Sequence, residues 1–161
     1  MKDKNFFNLI LLTSMIVIST SLFGSDIESS INKHKTKFEN IALSIWDYAE
    51  LGYQEIKSST ALAESLKEEG FKVTYKVANI PTAFIAEYGN DGPIIGILGE
   101  FDALPGLAQT NAPYKEIISN ETGGGHACGH HLFGAASAWA AVAIKEWLEE
   151  NNIDGRIRFY G

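Results

Sequence analysis

One cysteine, no basic cluster and no internal repeat characterise this 161-residue sequence. With Cys128 alone, an internal disulfide is excluded, so in an oxidising compartment the thiol is either free or occupied by another group. The formal net charge of -7, with no concentration of Lys or Arg, removes the electrostatic footprint of a nucleic-acid binder. Low-complexity tracts and linkers are also missing, so nothing divides the chain into modules. What is present is apolar: 45% hydrophobic and 11% aromatic residues give the composition of a core-forming domain, with room for one.

The longest apolar run lies at the start. Lys2 and Lys4 precede residues 6–23, which are rich in Leu and Ile and end at the small residues Gly24 and Ser25. A positive stretch, an apolar stretch and a small-residue site read as a secretory signal over residues 1–25. Residues 26–161 are then expected outside the cytoplasmic membrane, in the periplasm or beyond. The alternative is an uncleaved membrane anchor, because the run approaches the length that spans a bilayer and Leu22 suits a cleavage site poorly.

Downstream, the period of the apolar residues predicts the elements. Ile27, Ile31, Phe38, Ile41, Ile45 and Ala49 fall at helical spacing and predict an amphipathic helix ending near Leu51-Gly52, with His34 a solvated residue on its polar side. Ser58-Ser59-Thr60 is expected to cap a second helix that Gly70 terminates. Phe71, Val73, Tyr75 and Val77 then alternate with polar residues, as a half-buried strand requires. Thr82 to Tyr88 and Ile94 to Leu98 are two further strands, joined by the turn residues Gly89-Asn90-Asp91-Gly92-Pro93 and expected to pair as a hairpin. The unbroken apolar run of the second of these is that of a strand buried on both faces. An Ala-rich helix from Leu132 to Leu148 and a last strand, Arg156 to Tyr160, complete a crossover unit with a parallel strand pair.

Two loops concentrate the chemistry. "GGGHACGHHLFGAAS", Gly123 to Ser137, holds Cys128 and three of the four histidines. Residues two apart diverge on a helix but share a side in looped backbone, and the glycines at 123, 124, 125 and 129 favour the looped path. The segment therefore reads as a loop feeding the N-terminus of the Ala-rich helix, whose partial positive charge favours the thiolate that metal binding needs. "GEFDALPGL", Gly99 to Leu107, follows the apolar strand and places Glu100 and Asp102 beyond its carboxyl end, where open α/β sheets build their sites. Together the loops offer Cys128, His130 and Asp102, with His126 and His131 as further candidates, a donor mixture suited to zinc and compatible with manganese. Each residue also has a plainer use. Asp102 serves as a turn residue, His126 orients a neighbour, His131 caps the helix or meets solvent, and Cys128 packs as a small hydrophobe.

At these residues the sequence resembles metallopeptidase family twenty, the aminoacylase and carboxypeptidase group of di-metal amidohydrolases, and most closely its aminobenzoyl-glutamate branch. The stretches "GEFDALPGLAQ" and "GHACGH", in this order, carry the resemblance, and "ELGYQE", Glu50 to Glu55, is similar to the family's early segment. The resemblance implies the N-terminal part of a zinc-peptidase-like three-layer αβα catalytic domain with a mixed sheet. It implies metal-ligand roles for Cys128 and His130 and a catalytic-site role for Asp102, while Glu100, His126 and His131 are candidate neighbours from their place in the two loops. It also implies two divalent ions, zinc or manganese, in a complete site. The implied activity is hydrolysis of the amide bond of an N-acyl or N-aroyl amino acid or a small peptide, with oligomers forming only through a further domain. His131 departs from the pattern, since relatives have Asp or Asn after the Gly-His pair. In the family the strand resembling "RIRFYG" runs on into a Pro-Ala-Glu-Glu segment that supplies the general base; here the sequence stops at Gly161, and the expectation is a fragment inactive by itself. Two other readings compete: a non-enzymatic remnant with a partial metal site, and a redox thiol protein, which lacks a resolving cysteine.

Overall fold

In the computed structural model, residues 27–161 are described; the candidate signal segment lies outside them. Three helices and a four-stranded sheet make up the body. Helix α1 covers residues 27–48, α2 Ile56–Glu68 and α3 His130–Glu150. The strands are β1 Lys72–Tyr75, β2 Phe84–Tyr88, β3 Ile94–Leu98 and β6 Arg156–Tyr160, with the two-residue strands β4 Leu104–Pro105 and β5 Gly124–Gly125 forming a separate ladder. No described helix is long and apolar enough to cross a membrane.

Sheet order is β1-β2-β6-β3. The expected β2–β3 hairpin does not form: β6 lies between them, antiparallel to β2 and parallel to β3. The connecting turn makes room for this insertion. A Cβ on Gly89 would sit 2.1 Å from the Gly155 carbonyl oxygen, so only glycine lets the turn cross the start of β6. The parallel β3–α3–β6 crossover is as expected.

Phe84, Ala86, Ile157 and Phe159 point from β2 and β6 into one core with Phe38 and Ile45 of α1, Leu62 and Leu66 of α2, and Ala138 and Val142 of α3. Each fully buried Phe or Leu contributes roughly 1.5–3 kcal/mol. All three helices therefore cover the same sheet face. On the other face Arg158 pairs with Glu87, and Tyr160 is exposed. Among the described residues, two of the three layers implied by the resemblance are seen. β3 is an edge strand here and not buried on both faces: Ile94, Ile95 and Leu98 are 42%, 50% and 56% exposed.

Two local expectations are corrected. α2 begins at Ile56, ahead of the expected cap, and none of Ser58, Ser59 or Thr60 caps it; the hydroxyls of Ser59 and Thr60 donate back to the Ile56 carbonyl. Its far end follows expectation, with Gly70 N–H donating to Lys67 O and Phe71 N–H to Leu66 O, the Schellman pattern. His34 is buried, not solvated. Its Nε2 lies 2.8 Å from Glu146 Oε1 on α3 and its Nδ1 3.6 Å from Glu69 Oε1 beyond α2. On α1 the buried positions are Ser30, His34, Phe38, Ala42 and Ile45, while Ile27 and Ile31 are exposed. A polar cluster thus takes the place that apolar spacing alone assigned to those two isoleucines.

Candidate metal centre

The loop after β3 and the loop before α3 are tied together by β4 and β5, with Leu104 opposite Gly125 and Pro105 opposite Gly124. The approach is close: a Cβ on Gly125 would lie 1.9 Å from the Leu107 carbonyl oxygen, so the ladder requires glycine there. Gly129, at φ +86°, then turns the chain so that His130 is the first residue of α3.

His130 sits between two carboxylates. Its Nδ1 is 2.6 Å from Asp102 Oδ1 and its Nε2 2.9 Å from Glu100 Oε2. A carboxylate thus faces each ring nitrogen, and Asp102, which can only accept, takes the Nδ1–H. Donor atoms of Glu100, Asp102 and His130 all lie within 4.8 Å of one another, one nitrogen and two oxygens in the reach of a single ion. Such a set fits a divalent cation of zinc or manganese type, and a carboxylate on the second ring nitrogen is the usual way a ligating histidine is oriented.

The other candidates are placed differently. Cys128 is exposed and does not join these converging donors. His126 is buried, and its Nε2 lies 2.9 Å from the Ile45 carbonyl oxygen, which as an acceptor fixes the hydrogen on Nε2. His131 is half-buried against Trp46, ring centroids 4.9 Å apart, and against His126 at 5.1 Å. Burial holds the pKa of both rings below the usual histidine value, chiefly by desolvating the charged form; for His126 the Ile45 carbonyl opposes this, and for His131 the neighbouring His126 adds to it. The two rings lie together against Trp46, in an environment that favours their neutral forms. Their Nδ1 atoms are buried without a hydrogen-bond partner.

Two buried acids of "ELGYQE", to which residue spacing assigns no role, lie beside these loops. Glu55 accepts a hydrogen bond from Thr82 Oγ1 at 2.8 Å and lines, with Glu100 and Asp102, a cavity of about 270 Å³. Glu50 anchors both α2 and the Asp102 loop, the first through its carboxylate and the second through its backbone carbonyl. The signal for both was an acid at each end of a short segment between two helices.

Comparison with known proteins places this arrangement. No protein-family model matches the chain. It is 42% identical over 135 residues to a component chain of the p-aminobenzoyl-glutamate hydrolase of Escherichia coli K12, covering 84% of this chain and 28% of that protein. It is 32% identical over 124 residues to the hippurate hydrolase of Campylobacter jejuni, covering 77% of this chain and 30% of that one. Among solved structures, the Bacillus subtilis YXEP protein, a dinuclear metal-binding peptidase of the M20 family, superposes with a TM-score of 0.63 at 29% identity, covering 80% of this chain and 35% of that one. The chain thus spans about a third of the length of these relatives. Sequence over most of its length, fold, and the acid and histidine loops together place the chain with the amidohydrolases and peptidases of metallopeptidase family M20.

Proposed function

We propose that the chain supplies one side of the metal site of an M20-type amidohydrolase that cleaves the amide bond of an N-acyl or N-aroyl amino acid or a small peptide. The observation that carries this is His130 held between Asp102 and Glu100 at the end of β3. His130 and Glu100 would hold a divalent ion, zinc or manganese, with Cys128, two residues before His130, as a further ligand. Asp102 on Nδ1 fixes the ring and its tautomer. Such an ion supplies Lewis acidity, polarising the scissile carbonyl and lowering the pKa of water. The relatives' substrates support an aromatic acyl group, since two are named for aminobenzoyl-glutamate and hippurate hydrolysis.

Export belongs to the same proposal, supported by Lys2, Lys4 and the apolar run over residues 6–23. The mature protein recovered from its own cells should lack residues up to about Gly24 or Ser25; an intact N-terminus would favour the anchored alternative.

The metal reading is tested by calorimetric titration of the chain with Zn²⁺ and with Mn²⁺. Stoichiometric binding that weakens by more than about tenfold in His130→Ala is expected. Equal binding by the wild type and the variant would sink it. Hydrolysis of aminobenzoyl-glutamate and of hippurate by the natural gene product, assayed with and without chelator, tests the substrate class.

A further inference from the structure

Glu50 is 8% exposed and engaged at both ends. Its carboxylate accepts hydrogen bonds from Lys57 N–H at 3.0 Å, Ser58 N–H at 2.8 Å and the Ser58 hydroxyl at 2.7 Å, satisfying donors that the N-terminus of α2 leaves without partners. Its backbone carbonyl accepts Ala103 N–H at 2.7 Å, and Leu51 continues this contact as a parallel bridge to Ala103. Ala103 is the residue immediately after Asp102.

The surrounding residues extend the same device. Ala49, at φ +43°, turns the chain off the axis of α1 in a conformation strained for a residue with a Cβ. Its carbonyl accepts the Thr122 hydroxyl at 2.7 Å, and the Ile45 carbonyl accepts from His126. Carbonyls at and just beyond the C-terminus of α1 thus hold both loops of the candidate metal centre, one bond to the Asp102 loop and two to the His130 loop. A cap for α2 could have come from residue 55, the local position for it, but the Glu55 carboxylate goes to Thr82. The cap comes from Glu50 instead, and this fixes the peptide that sets the Asp102 loop.

We propose that Glu50 is a positioning residue for the metal centre, acting through the Ala103 backbone to aim Asp102 at His130 Nδ1. The inference rests on reading Glu100, Asp102 and His130 as the site. Removing the anchor leaves α2 folded but frees the peptide on which Asp102 depends.

The test is NMR of the full chain without metal, following the low-field Nδ1–H resonance of His130 that its bond to Asp102 produces. Glu50→Gln removes the charge and replaces one of the two carboxylate oxygens with an amide nitrogen, which cannot accept from the N–H donors of α2. It is expected to broaden or shift that resonance upfield, and to weaken Zn²⁺ binding about tenfold, while circular dichroism stays native. Ser65→Ala serves as the control, because Ser65 is a buried hydroxyl of α2 that bonds only to Leu62 O; it should lower Tm and leave the His130 signal in place. A wild-type His130 signal in Glu50→Gln, with Tm lowered as in the control, would reduce Glu50 to a helix cap. Should Glu50→Gln not fold, Ser58→Ala removes one of the three bonds to the same carboxylate, and an unmoved His130 resonance there overturns the proposal. Failure of the wild type to bind Zn²⁺ sinks the metal reading separately, since the resonance needs no ion.

Discussion

His34 on α1 and Glu146 on α3 meet in a buried contact, Nε2 to Oε1 2.8 Å, although 112 residues separate them in sequence. Lys33 Nζ reaches the same oxygen at 2.6 Å and the Ser30 hydroxyl takes the other. On the far side of the ring, Lys37 Nζ holds Glu69 Oε1 at 2.7 Å. Three helices are fastened at one end by this network, away from the candidate metal centre.

Glu146 makes that fastening sensitive to acid. Burial alone would raise its pKa, but hydrogen bonds from Lys33, Ser30 and His34 outweigh it and hold the carboxyl at about 2, against an ordinary value of 4.5. A depressed carboxyl pKa contributes stability that is complete above the unfolded value and is lost as pH falls toward the folded one. Urea denaturation of the wild type should therefore show a midpoint that declines from about pH 4.5 towards pH 2. Glu146→Gln should lose roughly 2–4 kcal/mol at neutral pH and flatten that decline, because the cluster loses its negative charge and one of the two acceptor oxygens that Ser30, Lys33 and His34 share. An unchanged slope in the variant would show that other carboxylates govern acid unfolding.

Gly134 sets how closely α3 approaches the loop that carries Glu100. A Cβ there would lie 2.9 Å from the Glu100 carbonyl oxygen and 3.2 Å from Leu62 Cδ1 and Phe101 Cβ. Gly134→Ala gains up to ~1 kcal/mol of helix propensity, but the contact with backbone forces α3 to shift, at ~1–3 kcal/mol. A net loss of stability is expected, together with weaker Zn²⁺ binding. A stabilised Gly134→Ala would mean that the loop yields easily and does not depend on the helix for its position.

Cys128 is exposed, so iodoacetamide should alkylate it readily in the metal-free chain. If the thiolate joins His130 on an ion, saturating Zn²⁺ should slow that reaction by at least about tenfold, as a coordinated thiolate is no longer a free nucleophile. Equal rates with and without Zn²⁺ would detach Cys128 from the site and leave Glu100 and His130 as its donors.

Local signals in the sequence carry much of this molecule. An unbroken apolar run, an Ala-rich stretch and the turn residues Gly89 to Pro93 and Asn151 to Gly155 locate β3, α3 and β6, because composition and turn chemistry are properties of each segment by itself. The glycine-rich stretch before α3 and the acids after β3 identify the two loops of the centre from residue types alone. Strand order was decided by tertiary structure: β6 enters between β2 and β3 through backbone contacts at Gly89 and Gly155 that no local pattern encodes. Burial of His34 was decided there as well, since only the arrival of Glu146 and Glu69 from other helices offsets the cost of desolvating its ring. So was the role of Glu50, whose carboxylate serves one helix and whose carbonyl serves a loop more than fifty residues away. Hydrogen-bond partners distant in sequence are chosen by the fold, and spacing along the chain cannot specify them.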